Sequence, residues 1–434
     1  MMARNTGFYP NHEPLRQDSS LKLRHERVSG PFSFLNPTRA HFRHVDRKPV
    51  VEESQESGLD QTPGESPDGR EQAADDFEYK WTSRNNRKGR HAIAVTPAKD
   101  EASAEYETPP SSTSPRAIVK GIWRMCVYYP IWDVSYDVAA VFTLGSVVWV
   151  INAFFVWLPL QKPSTAFADE SLYGGGITAF IGATIFEFGS FLLMAEAVNE
   201  NRSGCFGWAV EQAWEEHQHH HHEKGPYTRL RPDLAGCLHH HTNRKNFVGR
   251  SATTALPRNS NPALSSAKDS SKSWVWFPSY SELRTHYLHE LGFLACLAQL
   301  IGASIFWIAG LTALPGINDR LSPGALDGIY WTPQVVGGCG FIVSGTLFML
   351  ETQEKWWKPA LGTLGWHIGF WNWIGGIGFT LSPVFGYDTS EWALYQACLS
   401  TFWGSWAFLI GSVLQWYESL DKHPVDVEPS SAEP

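Results

Sequence analysis

Residues 182–196 read GATIFEFGSFLLMAE, an apolar run in which Gly182 and Gly189 stand seven residues apart. A small hydroxyl residue follows the later glycine, and a glutamate, Glu196, closes the run. The same order of residues returns twice, with the corresponding glycines and glutamates at Gly338, Gly345, Glu351, Gly404, Gly411 and Glu418. Internal repeats fix the architecture of a chain, so this pattern predicts one structural unit used three times.

A second apolar segment precedes each copy, which makes six apolar runs without lysine or arginine. They cover residues 136–158, 176–197, 288–312, 333–351, 361–383 and 392–417. A membrane-spanning helix needs roughly 20 apolar residues, and each run is near that length. The sequence therefore predicts an all-α membrane protein with six transmembrane helices, arranged as three tandem helical hairpins over 136–197, 288–351 and 361–417.

The distribution of charge predicts the orientation of these helices. If they alternate, the loops 159–175, 313–332 and 384–391 share one side, and they hold only Lys162 and Arg320 of the 35 lysines and arginines. Positively charged residues stay on the cytoplasmic side. We therefore expect both termini in the cytoplasm of an integral membrane protein, with the lipid bilayer as its first partner.

The polar segments between the runs divide the rest of the chain. Residues 1–117 hold few aliphatic residues that could build a core, which predicts a disordered cytoplasmic tail. Aromatic and basic residues alternate over 118–135 and indicate an interfacial segment. Residues 198–287 form a His-rich cytoplasmic linker, largely disordered, and 418–434 a short cytoplasmic tail.

The repeated glycines and the glutamates each have a structural interpretation. In lipid, small residues let helix backbones approach closely, so the six glycines predict helix packing, with a backbone-lined groove or a hinge as the alternative. Glu196, Glu351 and Glu418 stand at equivalent helix ends. We expect them to form interfacial ion pairs with basic neighbours in sequence, namely Arg202, Lys355 and Lys422.

Polar residues inside the predicted spans are the candidates for a functional site. Glu187 lies about ten residues into its span, where a carboxylate is costly and is a functional candidate by default. It could carry a proton or cation, or it could be structural glue between helices, and the sequence leaves both open. The other polar groups at this depth are Asn152, Gln299, His367 and Asn372.

The histidine clusters of the linker are candidate metal ligands. On a helix, Glu215, His219 and His222 share one face, and His239, His240 and His241 follow. Imidazole and carboxylate together bind zinc or nickel. A low-complexity linker can also accumulate such histidine runs without a function, so metal binding and compositional bias both remain open. No other cofactor is indicated.

Signals for enzymatic chemistry or nucleic-acid binding are absent from the sequence. It lacks a nucleophile elbow, a phosphate-binding loop, a zincin motif and a dinucleotide fingerprint in a context where each would work. It also lacks a basic patch interleaved with aromatic residues. These absences predict a protein that is not an enzyme and does not bind nucleic acid.

The hairpins resemble those of fungal multi-pass membrane proteins with a long polar N-terminal tail. The unit Phe-x-x-Gly-Ser, at Phe142 to Ser146 with Phe186 to Ser190 and at 406–413, is also similar to the YrhK-type two-helix module of bacteria. The resemblance covers the membrane part and implies a helical fold. It implies no functional residue, because neither group has a function to transfer.

Two hypotheses for the function follow. The first is a transporter or channel for a small solute or ion, with Glu187 as its proton or cation site. The alternative is a non-transporting membrane organiser that recruits partners through its cytoplasmic tails. A wet cavity reaching Glu187 would favour transport, and a sealed helix bundle would favour the organiser.

Overall fold

The computed structural model describes residues 7–9, 13–14, 21–44, 77–95, 106–107, 110–130, 133–199, 228–229 and 277–427. In chain order its helices are α1 (Ser83–Arg87), α2 (Pro115–Val127), α3 (Val134–Gln161), α4 (Gly176–Val198), α5 (Tyr280–Thr285), α6 (Leu291–Thr312), α7 (Pro323–Leu326), α8 (Thr332–Glu351), α9 (Leu364–Gly386) and α10 (Glu391–Leu420). Its strands are β1 (Leu21–Leu23), β2 (Arg39–His44), β3 (Phe77–Thr82), β4 (Ala92–Val95), β5 (Tyr106–Glu107), β6 (Thr228–Arg229) and β7 (Val425–Val427).

The described part of the chain is mostly helical, and five of its helical segments are long and apolar enough to cross a membrane. They are Val134–Gln161, Ser171–Val198, Leu291–Thr312, Pro323–Glu351 and Glu391–Leu420. A single π-helical turn leads into α4 and another into α8, which lengthens these two segments. The sixth long helix, α9, carries His367, Asn372 and three tryptophans and is not among the five.

The six long helices form a closed ring. Each of α3, α4, α6, α8, α9 and α10 packs against its neighbours in chain order, and α10 returns to pack against α3. Because every helix has two partners of this kind, no pair stands apart as a separate hairpin.

Six aromatic side chains, one from each long helix, meet inside the closed ring of helices. They are Trp149, Phe186, Phe306, Phe341, Phe379 and Phe408, and all are buried. The centroids of Trp149 and Phe379 lie 4.8 Å apart with their planes nearly perpendicular, and Phe186 and Phe408 meet in the same way at 5.4 Å. Edge-to-face contacts are a favoured arrangement of aromatic side chains. The middle of the bundle is therefore filled by side chains.

The contacts of the glycines show that the middle copy of the repeat was aligned with the other two copies one residue out of register. A Cβ at Gly182 would meet Trp149, and one at Gly404 would meet Phe379, each on the preceding long helix. The residue facing Phe306 in the same way is Gly337, whereas Gly338 faces α9. One residue turns a helix by about 100°, so this slip changes the neighbour.

The later glycines follow the same rule. Gly189 faces α3 and Gly411 faces α9, each again on the preceding helix, but Gly345 lies against Trp373 of the following helix. The residue of α8 directed at the preceding helix is Ser344, whose Oγ donates to the Ala295 carbonyl at 2.9 Å. Ser344 stands seven residues before its glutamate, as Gly189 and Gly411 do.

A small sheet covers the end of the bundle at which α4, α8 and α10 finish. Its strand order is β1-β2-β3-β4-β7, antiparallel except for the parallel pair β4–β7, so both ends of the chain contribute to it. Phe42, Tyr79 and Trp81 form its core with smaller residues. The prediction of a disordered tail is wrong for residues 21–44 and 77–95, because short alternating stretches such as FEYKWT bury one face.

The helix α2 lies within the segment predicted to be interfacial, although it begins at Pro115. None of its residues is buried, and Ile118, Val119, Ile122 and Trp123 are exposed. Gly121 lets α2 approach the ring of Tyr417 on α10.

Replacing Gly337 with alanine tests the packing register. The added Cβ would lie 2.6 Å from the Gly302 carbonyl oxygen, so α6 and α8 must separate. We expect Gly337→Ala to lower the free energy of unfolding in detergent by about 1–3 kcal/mol. Gly328→Ala is the control, since nothing lies within 4 Å of its Cβ position. Equal melting temperatures for the two variants would contradict this assignment.

Candidate functional site

The short helix α1 carries a dense group of cations toward the end of the bundle. Residues 83–90 read SRNNRKGR. The hydroxyl of Thr82, the last residue of β3, accepts from the Asn85 amide at 3.1 Å and caps the helix. Gly89 then adopts a φ of +59°, a left-handed conformation that glycine tolerates, and leads the chain into β4. The turn holds Arg84, Arg87 and Lys88 on the side that faces the bundle.

Three glutamates on the bundle face these cations. Glu196, Glu351 and Glu418 lie in the last turns of α4, α8 and α10, and each is at most 1 % exposed. A carboxylate at a helix C-terminus is repelled by the negative end of the helix dipole. A buried carboxylate also needs a partner of opposite charge. Three such groups at one end of the bundle therefore require several cations.

Two arginines of α1 bind all three carboxylates. Arg84 binds Glu418 through two parallel hydrogen bonds, from Nε at 2.9 Å and from Nη2 at 2.7 Å. Arg87 joins two helices, because its Nη1 donates to Glu196 at 2.5 Å and its Nη2 to Glu351 at 3.1 Å. Bidentate arginine–carboxylate pairs are among the strongest hydrogen bonds in proteins. We call this group of side chains, with Lys88, the ion cluster.

Lys88 is the third buried cation of the ion cluster. Its Nζ lies 3.8 Å from a carboxylate oxygen of Glu196 and 3.8 Å from one of Glu418, and it has no hydrogen-bond partner among the described residues. Burial lowers the pKa of Lys88 to about 8, against the attraction of the two carboxylates. At the rim, Arg90 Nη1 donates to Glu418 at 3.2 Å.

The expected pairing of the glutamates with Lys355 and Lys422 was therefore wrong. Lys355 lies over the ring of Trp357, and Lys422 contacts Asp133 and the Lys88 carbonyl. Arg202 lies outside the described residues. Sequence reasoning missed the true partners because residues 83–90 fall in the stretch taken as disordered. The available signal was the density of positive charge in that segment directly after an alternating aromatic strand.

A small cavity of about 30 Å³, lined by both polar and apolar side chains, lies between the ion cluster and the aromatic rings. Of the predicted intramembrane polar residues, Gln299 and Asn372 line it. Lys88 lines it from the sheet side, and Phe186 and Phe408 line it from the bundle centre. The structure thus brings two of the five predicted polar residues together.

The other three predicted residues lie apart from this cavity. Glu187 is partly exposed at the interface of α4 and α6, where its Oε1 accepts from Ser304 Oγ at 2.8 Å. Asn152 Nδ2 donates to the Gly175 carbonyl at 2.6 Å and fastens α3 to the start of α4. His367 contacts the Leu361 carbonyl at 2.8 Å, close to the start of α9.

The metal-site prediction cannot be placed on this structure. Glu215, His219, His222, His239, His240 and His241 all lie outside the described residues. Within the described ranges there is no group of three histidine, cysteine, aspartate or glutamate side chains that could hold a metal ion.

Comparison of the chain with protein-family models, curated proteins and solved structures found no match. The resemblance to the two-helix module stays a prediction. The candidate site therefore has to be interpreted from its own geometry.

Loss of Arg87 should weaken the attachment of the sheet to the bundle. Arg87→Met leaves Glu196 and Glu351 buried without their cation, and breaking a buried ion pair in this way costs about 3–5 kcal/mol. We expect earlier thermal unfolding and faster protease cleavage around α1. Lys355→Met, at an exposed cation, is the control and should change neither. Unchanged protection of α1 in Arg87→Met would contradict the role given to the ion cluster.

The free energy of unfolding should depend on the titration of Lys88. The pKa of Lys88 is about 8 in the folded state against an ordinary value of 10.5, so the unfolded chain binds more protons between these values. Stability therefore rises as the pH passes from about 8 to about 10.5. Denaturant unfolding near pH 7 and near pH 9.5 should show this rise, and Lys88→Met should lack it. An equal rise in both proteins would count against the lowered pKa of Lys88.

Proposed function

We propose that this chain is a six-span membrane protein whose bundle is sealed, and that it presents a sheet at the cytoplasmic surface as a platform for partners. The observation that carries the proposal is the layer of six aromatic rings, one from each long helix, packed at the centre of the bundle. A conducting path along this axis would have to pass through that layer. This favours the organiser hypothesis over transport, and the proposed role is not enzymatic.

Six spans and a threefold repeat are supported by the equivalent contacts of the long helices. α9 completes the ring between α8 and α10. It therefore belongs to the same bundle as the five helical segments that are apolar enough to span a membrane. Gly182, Gly337 and Gly404 each face an aromatic residue of the preceding helix. The glutamates of the ion cluster follow these glycines by fourteen residues in every copy.

The cytoplasmic placement of the sheet is supported by the positions of the positive charges. The ion cluster, Arg90 and Lys422 all lie at the sheet end, whereas the loops of the opposite end hold only Lys162 and Arg320. Positive residues near membrane ends favour the cytoplasmic side. The exposed apolar residues of α2 fit the boundary of the bilayer at this end.

The position of Glu187 argues against its use as a transport site. It does not line the axial cavity, and its hydrogen bond to Ser304 connects α4 and α6. Nearby, Trp307 Nε1 donates to Thr184 Oγ1 at 3.0 Å between the same two helices. Such polar contacts hold helices together in lipid. We therefore assign Glu187 to helix packing.

The platform is supported by the way in which the sheet is fixed. Buried ion pairs hold α1, and Asn36 Nδ2 donates to Glu290 at 2.6 Å, so the sheet is attached at more than one point. A groove of about 310 Å³ lies where the sheet meets the loop after α8, and its lining includes Arg27, Lys80 and Glu354. A fixed groove of this kind suits a polar peptide segment of a partner.

Vesicle flux decides between a sealed bundle and a conducting one. Vesicles with the wild-type protein should hold gradients of protons, potassium and chloride as long as protein-free vesicles do. The double variant Trp149→Ala, Phe379→Ala removes two rings of the layer and should leak. The matched control Trp356→Ala, Trp357→Ala changes two exposed aromatic residues and should stay tight. Protein-dependent flux in the wild type would overturn the proposal.

Variants of Glu187 separate packing from transport. Glu187→Gln keeps the size and the hydrogen bond and should melt like the wild type. Glu187→Leu loses the hydrogen bond to Ser304 and should be less stable by roughly 1 kcal/mol, the scale of interhelical hydrogen bonds in membranes. Thermal unfolding in detergent measures both. A large loss of stability in Glu187→Gln would show that the carboxyl is needed for more than this bond.

The platform is tested by cross-linking in cells. Partners attached at the sheet should be captured by the wild type and lost from Arg27→Glu, Lys80→Glu, which reverses the charge of the groove. Arg116→Glu, Lys120→Glu on α2 changes the same number of charges outside the groove and serves as the control. Identical partners in all three proteins would argue against the groove as the point of attachment.

A further inference from the structure

We propose that the axial cavity binds a small monovalent anion of the size of chloride. The site lies between the ion cluster and the aromatic layer and is built by side chains from α1, α6 and α10. It does not depend on the platform function, and it involves no flux through the bundle. The argument rests on the polar groups that line the cavity and on the space between them.

Three largely buried polar side chains line the cavity, and the Nζ of one of them, Lys88, is a buried donor without a hydrogen-bond partner among the described residues. Lys88 is 2 % exposed, Gln415 8 % and Gln299 9 %. Buried polar groups are almost always hydrogen-bonded, because an unsatisfied one costs about 1–3 kcal/mol. A buried ammonium without a partner, beside two glutamine side chains in the same lining, therefore indicates that something polar occupies the space.

The occupant must accept hydrogen bonds. The Lys88 ammonium offers three donors and no acceptor, and each glutamine side chain offers two N–H donors beside its carbonyl acceptor. Other polar groups of the lining are already engaged: Asn372 Nδ2 donates to the Ile368 carbonyl and Ser146 Oγ to the Phe142 carbonyl. The donors that remain belong to residues that line the cavity, so a ligand that accepts hydrogen bonds fits them.

The charges of the lining favour an anion over a cation. Arg84 and Arg87 line the cavity together with Lys88, whereas none of the three glutamates does. The carboxylates are bound by the guanidinium groups, and Lys88 is the one cation of the ion cluster without a charge-assisted hydrogen bond. An anion at this place would supply that bond.

The size of the cavity selects the ligand. Its volume of about 30 Å³ accommodates one halide ion or very few water molecules. Phe186 and Phe408 close one side and α1 closes the other, so a phosphate ester or a nucleotide has no room. Gluconate is likewise too large, which makes it a useful non-binding anion.

Equilibrium binding of radiolabelled chloride to the purified full chain in detergent tests the site. Gluconate keeps the ionic strength constant. The wild type should bind one chloride per chain, saturably, and chloride should raise its melting temperature relative to gluconate. Lys88→Met removes the charged donor and should weaken binding by roughly tenfold or more, the equivalent of one lost charge-assisted hydrogen bond. Lys120→Met, on the exposed surface of α2, should bind as the wild type does.

A second variant keeps the test decisive if Lys88→Met does not fold. Gln299→Leu lies outside the ion cluster and removes an amide donor at nearly constant size, so it should weaken chloride binding while α1 stays protected from protease. Absence of saturable chloride in the wild type would mean that the cavity holds water only and would overturn the proposal. Equal chloride affinity in the wild type and in Gln299→Leu or Lys88→Met would overturn it as well.

Discussion

The rest of the structure depends on the burial of three carboxylates at one end of a helical ring. Glu196, Glu351 and Glu418 end three helices whose dipoles add negative potential at the same place. Such an arrangement is stable only with cations inside it, and the bundle does not provide them from its own helices. Arg84 and Arg87 bring them from a segment more than a hundred residues earlier in the chain. The ion cluster therefore joins the sheet to the bundle.

This constraint explains why the two ends of the chain meet. The strand β7 follows α10 directly and pairs with β4, which follows α1, so the sheet is closed by the two segments that flank the ion cluster. The Lys422 ammonium donates to the Lys88 carbonyl at 2.9 Å and strengthens the same junction. A polar tail with little hydrophobic core thus gains stability from its attachment to the membrane bundle.

The aromatic layer and the ion cluster divide the axis of the bundle into a filled part and a small polar part. Rings from all six long helices occupy the centre, and polar side chains occupy the space toward the sheet. Glu187, the acidic residue that suggested transport, lies between two neighbouring helices and away from this axis. Depth along a helix therefore does not by itself place a side chain at the axis, because the direction of the side chain decides what it meets.

The sequence by itself determined the long apolar helices, their repetition and the equivalence of the three glutamates. These properties follow from composition and from periodicity along one segment. The predicted register of the middle copy is wrong by one residue. The prediction followed the spacing of the glycines, whereas the distance to Glu351 identifies the residues that face the preceding helix. Only the tertiary structure decided which cations bind the glutamates and which polar residues share a cavity. The ion pairs join residues such as Arg84 and Glu418 that are 334 positions apart, and no local pattern specifies a contact at that distance.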